Sequence, residues 1–429
     1  MRKMTVLLQT LLEEFHAKMK AFSGGIIREA SFSDVSNKIM VAIGMRRTGK
    51  TYLMFQTIQK LLKKVPISRI LYLNFEDDRL YPMTGQQFGE LIDSFYTLYP
   101  ENHDNACYLF FDEVQNIEDW QLVIRRYSDT KNVKIYLTGS SAKLLSKEIA
   151  TSLRGRSIAT EIWPFSFKEF LRAKRIPQLD NSPLLGKKSL DQLRGWLRIY
   201  LDQGGFPETT FLDTSDRTQI LQDYVSVVIF RDIIERYKIT NISLVRYMIK
   251  TLIKNVGCGF SVNKFFNDLK SQGFSVGKTT VYDYLDYIED AYLAFAVPLY
   301  SESLRKTQTN LRKLYAVDTG LVKAYTTSVS KDFGHHFENL IYLDLRRSRH
   351  EVFYYLTESR REVDFFARDS QGEWHLYQVC WTIDDPKTLE RETLALNEAE
   401  KQLGIKGQII TPKSYFSSFL PALQKKTLS

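Results

Sequence analysis

Cysteine is scarce: Cys107, Cys258 and Cys380 are the only three in 429 residues, widely separated and each in or near an apolar run. That spacing excludes a disulfide framework and a cysteine-built zinc module, and it fits a reducing, cytoplasmic compartment. Long apolar runs are missing too. The longest, Ala291 to Tyr300, is interrupted by Pro298 and is too short to span a bilayer. The basic opening Met1-Arg2-Lys3-Met4 does not lead into a signal peptide, because Gln9-Thr10 and Glu13-Glu14 break up the apolar residues that follow. Leu7, Leu8, Leu11, Leu12, Phe15 and Met19 recur at helical spacing instead. Residues 4–20 are therefore expected as an amphipathic helix, and no membrane partner is expected. Acidic residues are the minority charge, 50 against 59 Lys and Arg, and the net +9 favours an anionic partner. What is plentiful is ordinary globular material: 44% hydrophobic and 25% charged residues, over a length that suits two to four domains.

The most informative stretch is Gly44-Met45-Arg46-Arg47-Thr48-Gly49-Lys50-Thr51, a GxxxxGKT pattern. A β-prone run, Lys38 to Ile43, precedes it, and Tyr52 to Ile58 follows with helical spacing. Strand, glycine loop and helix together make a phosphate site. Gly44 and Gly49 let successive N–H groups, those around Thr48 included, turn inward as an anion nest, and the helix aims its positive end at the same place. Lys50 is then expected to reach the β and γ phosphates of ATP, and the Thr51 hydroxyl to hold Mg²⁺.

A second strand, Arg69 to Phe75, stops at Glu76-Asp77-Asp78, and a third apolar run, Cys107 to Phe111, ends in Asp112-Glu113. This third run resembles a Walker B strand, which delivers both carboxylates at the C-terminal edge of a parallel sheet. Asp112 would hold Mg²⁺ through water, and Glu113 would orient or deprotonate the attacking water. The strand Val133 to Leu137 ends in Thr138-Gly139-Ser140-Ser141. Thr138, ahead of Ser140, is the hydroxyl expected to sense the γ-phosphate, while Ser141 reads equally well as a helix cap. In Leu153-Arg154-Gly155-Arg156, Arg156 ahead of Arg154 is the expected arginine finger, neutralising the transition-state oxygens of a nucleotide, often one bound by the neighbouring subunit. The alternative for Arg156 is a surface ion pair.

GMRRTGKT, LNFEDDRL, YLFFDEVQ, LTGSSAKLLSKEI, LRGRS and WPFSFKEFL, in that order, resemble a prokaryotic family of AAA-type ATPases whose ATPase module is joined to a C-terminal region of unknown function. The resemblance continues through Asp202 to Glu208, Phe230 to Ile234 and Tyr315 to Leu321, and so covers nearly the whole chain. It implies an α/β fold: an AAA-type P-loop core over residues 1–175, with a parallel sheet of order 5-1-4-3-2. Residues 176–195 read as a linker. From 190 to 255 the pattern is helical, as in a lid over such a site. Arg231 is there either a second nucleotide sensor or a partner of Asp232 or Glu235.

Residues 260–318, within a second domain over 190–325, read as a winged helix-turn-helix. The helix opening at Lys278-Thr279-Thr280 would expose these residues to a major groove. The wing would run from Ser301 to Lys313, with Arg305, Lys306, Arg312 and Lys313 contacting DNA phosphates. Asp283, Asp286, Glu289 and Asp290 on the same helix keep a protein-contact alternative open. The last segment, 330–429, resembles the PD-(D/E)xK nuclease fold of Holliday-junction resolvases, with Glu338 on a helix and Asp364 on a strand. Gln378 and Cys380 stand where the active pattern carries Glu-x-Lys. Glutamine is a poor Mg²⁺ ligand and a thiol carries no lysine charge, so the fold is expected without its cutting chemistry. Lys387, beyond Pro386, is the alternative source of that charge, and His335-His336 is expected as helix-start packing. The combined expectation is a Mg²⁺-dependent ATPase that couples ATP turnover to DNA engagement, with a homo-oligomer as the setting in which Arg156 would act between subunits. Its rivals are an ATP-dependent DNA nuclease or resolvase, and an ATP-driven switch that binds protein partners.

Overall fold

The computed structural model describes residues 2–139, 155–176, 187–303, 311–326, 333–382 and 386–421. Ser140, Ser141, Arg154, Arg305, Lys306 and the side chain of Lys387 lie outside the described residues. The chain divides into two units, Met1–Trp163 and Pro164–Ser429.

Strands β1 (Ile39–Ile43), β2 (Ile70–Asn74), β3 (Cys107–Asp112), β4 (Val133–Gly139) and β5 (Ser157–Glu161) make the sheet of the first unit. All pair in parallel, in the order β2-β3-β4-β1-β5. This is the expected 5-1-4-3-2 order seen from the other edge. β1 is buried along its whole length, because a parallel strand covered on both faces needs apolar residues throughout and not in alternation. Four helices cover the sheet: α1 (Arg2–Ala21), α2 (Lys50–Leu61), α3 (Gly85–Leu98) and α4 (Trp120–Thr130). On one face Phe15 and Met19 of α1 and Met54, Phe55 and Ile58 of α2 pack with Tyr72, Phe110 and Tyr136. The β3–β4 register sets Phe110 beside Tyr136, and their rings stack at 4.3 Å. Elsewhere in the unit Phe88 of α3 meets Phe111 and Phe75 edge-on, at 4.9 and 5.2 Å. Truncating a buried phenylalanine of this kind costs about 3–5 kcal/mol. α3 starts at a Thr84–Gln87 capping box that fixes its entry.

The second unit begins with helix Phe167–Ala173, capped by Ser166 and Glu169, and continues through helices Lys187–Gln203, Thr214–Val227 and Ile242–Lys254. Then come β6 (Gly259–Phe260), helices Val262–Ser271 and Lys278–Asp290, β7 (Ala294–Val297) and β8 (Arg312–Ala316). These strands form an antiparallel sheet of order β6-β8-β7. The last sheet has the order β12-β11-β10-β9, from β9 (Glu351–Leu356), β10 (Glu362–Arg368), β11 (Trp374–Val379) and β12 (Gly407–Ile410). β9, β10 and β11 are antiparallel, and β12 returns parallel to β11 after helix Pro386–Leu403. Ala395, Leu396 and Ala399 of that helix pack on Val363, Phe366 and Leu376. Helix Phe333–Arg347 also meets this unit's aromatic core: its Tyr342 stacks on Tyr315 of β8 at 4.4 Å.

Three motifs that carried the family resemblance converge in this unit. Phe165 N–H donates to Gly205 O at 2.7 Å, and Gly205 N–H donates to Asp318 Oδ2 at 2.6 Å. Asp318 also caps helix Thr319–Tyr325 by accepting from Gly320 N at 2.8 Å. A Cβ on Gly205 would lie 2.3 Å from Phe165 O, and one on Gly320 would lie 2.4 Å from Gln203 O. Both positions therefore require glycine because backbone meets backbone.

Candidate functional site

The loop after β1 and the acidic end of β3 meet at the C-terminal edge of the first sheet, where open α/β folds place their ligands. Gly44 has φ 147°, and a Cβ there would lie 2.3 Å from Ile162 O. Gly49, at φ 97°, is the N-cap of α2. Thr48 is buried, and its hydroxyl donates to Met45 O at 2.9 Å, closing the loop on itself. Lys50 Nζ donates to the carbonyls of Gly44 and Met45, both at 3.1 Å, and lies 3.7 Å from Glu113 Oε1.

Thr51 Oγ1 donates to Asp112 Oδ2 at 2.7 Å, and Tyr72 OH donates to the same oxygen at 3.0 Å. Thr138 donates to Asp112 Oδ1 while accepting from Glu113 N at 2.9 Å. Glu113 is held at φ 54°, a left-handed conformation uncommon outside glycine, and accepts from Gln115 Nε2 at 2.6 Å. Burial, reinforced by the Glu113 carboxylate, raises the Asp112 pKa; the hydrogen bonds from Thr138, Thr51 and Tyr72 pull it back down. Burial also raises the Tyr72 phenol well above its usual range, with Asp112 adding to the effect.

Arg28, missed in the sequence, is part of the same scaffold. It is buried, and its guanidinium donates to Thr48 O and Trp163 O, each at 2.7 Å. A Cβ on Gly49 would approach its Nη1 to 2.8 Å. Arg28 thus braces the loop from behind. The stretch around it, Ile26-Ile27-Arg28-Glu29-Ala30, carries no pattern that would have singled it out.

Arg156 lies at the opposite edge of the sheet. Its carbonyl accepts from Ile39 N, at the first residue of β1, and its guanidinium pairs with Asp129 on the surface. The length of β1, about 13 Å at 3.3 Å per residue, separates that edge from the glycine loop. Arg156 therefore does not reach its own chain's loop. Arg231 is exposed and pairs with Glu235 at 3.1 Å, one helical turn away. The ion-pair alternatives anticipated for both arginines are thus present.

In the second unit Lys278 and Thr279 are exposed on the first turn of their helix. Glu289 of that helix turns inward: it accepts from Ala296 N at 2.6 Å, and burial pushes its pKa up to about 7. Lys313 corrects the sequence reading. It was expected on a wing facing phosphates, yet it is 3% exposed and sits among carboxylates. Its Nζ lies 2.7 Å from Glu338 Oε1, 3.0 Å from Asp364 Oδ1 and 2.9 Å from the half-exposed Glu362. Burial works against its charge, but Asp364 and Glu338 outweigh burial and hold its pKa well above the usual lysine range. Burial raises the Glu338 pKa, and Lys313 partly offsets this. Tyr315 OH donates to Glu338 at 2.7 Å, and Val379 N donates to Asp364 Oδ2 at 2.8 Å. Gln378 Oε1 accepts from Asp364 N at 3.2 Å. The cluster therefore has a lysine after all, from strand β8 and not from the Glu-x-Lys position. The signal was the two-residue period of a strand: Lys313 and Tyr315 share a face, and both reach Glu338.

A family model described as an AAA domain matches residues 36–171. A second, described as a domain of unknown function (DUF8612), matches residues 194–332. The uncharacterized protein MJ1544 of Methanocaldococcus jannaschii is 37% identical over 383 residues, which cover 88% of this chain and 82% of that one. An uncharacterized protein of Haemophilus influenzae is 29% identical over 86% of this chain and 89% of its own length. Among solved structures, the Walker-type ATPase PABY2304 of Pyrococcus abyssi aligns with a TM-score of 0.41 at 14% identity, covering 66% of this chain and 90% of that one. No described helix is long and apolar enough to cross a membrane. The 37% identity over most of both chains shows that the chain belongs to the family of the uncharacterized protein MJ1544, and the sheet order, the glycine loop after β1 and the AAA-domain match agree on an AAA-type P-loop ATPase fold in its first unit.

Proposed function

We propose that the first unit binds ATP with Mg²⁺ and hydrolyses it, and that turnover is coupled to nucleic-acid engagement by the second unit. The observation that carries the first part is one hydrogen-bonded set, Thr51–Asp112–Thr138–Glu113, with Lys50 beside it. Lys50 exchanges its two carbonyl contacts for the β and γ phosphates. Thr51 and Asp112 offer hard oxygens 2.7 Å apart, a donor set suited to Mg²⁺ that keeps several waters. Bound there, the ion would neutralise phosphate charge. Glu113, fixed through Thr138 and Gln115, orients and deprotonates the attacking water. The Thr138 hydroxyl is committed to the acidic pair, so its role is to hold Asp112 and Glu113, not to touch phosphate. Arg156, remote from its own loop, serves the nucleotide of a neighbouring copy in a homo-oligomer. Arg231 would have to leave Glu235 to act as a sensor.

Residues 242–316 run helix–strand–helix–helix–strand–strand with sheet order β6-β8-β7, which supports the winged-helix reading. Lys278 and Thr279 are its exposed contacts to DNA. Glu289 turns inward and Asp290 accepts from Tyr237 OH at 3.2 Å, so the acidic face that favoured a protein partner shrinks to Asp283 and Asp286. The last sheet, with Glu338 and Asp364 bound to Lys313 and Gln378 in place of a carboxylate, is read as a nuclease-like domain that docks without cutting.

ATP turnover tests the core claim. Lys50→Ala should lose nucleotide binding, and Glu113→Gln should bind ATP but hydrolyse it about 10²–10⁴-fold more slowly. Normal turnover in Glu113→Gln removes the assignment. DNA affinity should fall by about 0.9 log unit per log unit of salt for each phosphate contact, and Lys278→Glu should weaken it. Binding that ignores salt favours the protein-partner reading. Cleavage of junctions or flaps in Mg²⁺ or Mn²⁺ that disappears in Asp364→Ala restores the nuclease.

A further inference from the structure

Two of the six histidines, His350 and His375, come together with Asp369 at one end of the last sheet. His350 follows helix Phe333–Arg347 and immediately precedes β9, and its N–H donates to Leu345 O at 3.0 Å. Asp369 immediately follows β10, and His375 is the second residue of β11. The register explains the meeting: Arg368 pairs with Glu351 on one side, and Ala367 pairs with His375 on the other. The start of β9, the end of β10 and the start of β11 therefore share one edge.

The ligand-capable atoms of the three side chains all lie within 4.8 Å of one another. His350 and Asp369 are 4% and 6% exposed, while about a quarter of the His375 side chain reaches solvent. Asp369 is oriented by the turn that it closes: Oδ1 accepts from Gln371 N at 3.0 Å and from Glu373 N at 2.9 Å. Its Oδ2 lies 3.1 Å from His375 Nε2. Tetrahedral ligands at about 2.0–2.1 Å from a zinc ion stand about 3.3 Å apart. The Asp369–His375 separation is already close to that value, and the His350 ring nitrogen has to close in from no more than 4.8 Å.

We propose that His350, Asp369 and His375 bind a borderline divalent transition ion, Zn²⁺ being the representative. Two imidazoles and one carboxylate suit zinc, cobalt or nickel, whereas Mg²⁺ and Ca²⁺ require oxygen ligands. Three protein ligands leave the fourth position to water on the exposed side of His375. The backbone amides on Asp369 act as the outer support that aims a ligating carboxylate. The ion would clasp the β10–β11 hairpin to the start of β9. The site uses none of Glu338, Asp364 and Lys313.

The test uses the full chain, stripped with chelator and titrated with Co²⁺, then with competing Zn²⁺. The expected result is the intense visible absorption of tetrahedral cobalt at one equivalent per chain, lost as zinc displaces it, together with a zinc-dependent rise in Tm. His350→Ala and the milder His375→Gln should each weaken affinity at least about 100-fold, with far-UV circular dichroism and ATP turnover matching the parent. His103→Ala, on the first unit, should leave affinity unchanged. Absence of tetrahedral cobalt in the parent overturns the proposal. So does equal affinity in His350→Ala and His375→Gln, which would locate the ion elsewhere.

Discussion

Replacing Lys313 with methionine removes one positive charge from a buried cluster while keeping most of the side-chain volume. Its partners divide into two kinds. Glu362 is half-exposed, and a pair of that kind contributes about 0–1 kcal/mol. Glu338 and Asp364 are both buried and lie 2.7 and 3.0 Å from Nζ. Removing one member of such a buried set strands the rest, at about 3–5 kcal/mol. The cost depends on pH in a fixed direction. Burial already raises the Glu338 pKa and Lys313 opposes that rise, so without the lysine the folded-state pKa climbs further. A carboxyl whose folded pKa is raised stabilises the fold below its unfolded pKa and loses that contribution as pH rises through the folded value. Lys313→Met should therefore be damaged less near about pH 5 than near about pH 8. Guanidinium unfolding at both values, followed through the transition of the second unit, measures the difference. Adding Glu338→Gln and Asp364→Asn should recover most of the loss, because removing a whole buried ion cluster is close to neutral. Stability within about 1 kcal/mol of the parent at both pH values would refute the counter-charge argument.

Arg28→Ala removes two charge-assisted hydrogen bonds behind the glycine loop, and a bond of this type contributes about 1.5–3 kcal/mol. ATP affinity should drop roughly tenfold or more, and calorimetric affinity within twofold of the parent would remove the bracing role. Asp318 has a pKa pushed up to about 6, chiefly by burial, with the amides of Gly205 and Gly320 working against the rise. Its contribution is present below the unfolded value of about 3.9 and is lost by about pH 6, a swing of about 3 kcal/mol. Asp318→Asn should flatten this fall in a pH series of unfolding midpoints, and an unchanged slope would assign it to another group. Arg156→Ala should bind ATP normally yet turn over about 10³-fold more slowly if it acts between copies. Mixing it with Glu113→Gln should then recover activity at shared interfaces, whereas no recovery and no ATP-dependent self-association at micromolar protein would exclude that action.

The first unit was legible because its signals are local. Ile39–Ile43 followed by GxxxxGKT names a strand, a turn and a helix within thirteen residues, and Cys107–Glu113 names its neighbour. Parallel strands buried on both faces leave continuous apolar runs, and the crossover rules then restrict how such strands are ordered. The bracing role of Arg28 was not legible, because it depends on a carbonyl 20 residues away and on another 135 residues away. Lys313 was misread for a related reason. Four basic residues in a row of thirteen look like a solvated hairpin until the strand boundary at Arg312 fixes which face each one takes. The meeting of His350 with His375 follows from antiparallel register, which spacing along the chain does not reveal. Thr138 stands out in the sequence as a hydroxyl at a strand tip, but the engagement of that hydroxyl with Asp112 and Glu113 is a fact of three dimensions.

The junction of Phe165, Gly205 and Asp318 sets an order of events during folding. Gly205 and Asp318 are 113 residues apart, so the bond between them closes a long loop whose entropic cost precedes any gain. Until Asp318 has left the ribosome, the amide of Gly205 lacks this acceptor. The segment from Pro164 to Gly205 cannot settle into its final arrangement while synthesis passes through the intervening helices. This junction of the second unit therefore closes late, whereas the sheet of the first unit, complete by Glu161, has every strand it needs before the first residue of the second unit is made.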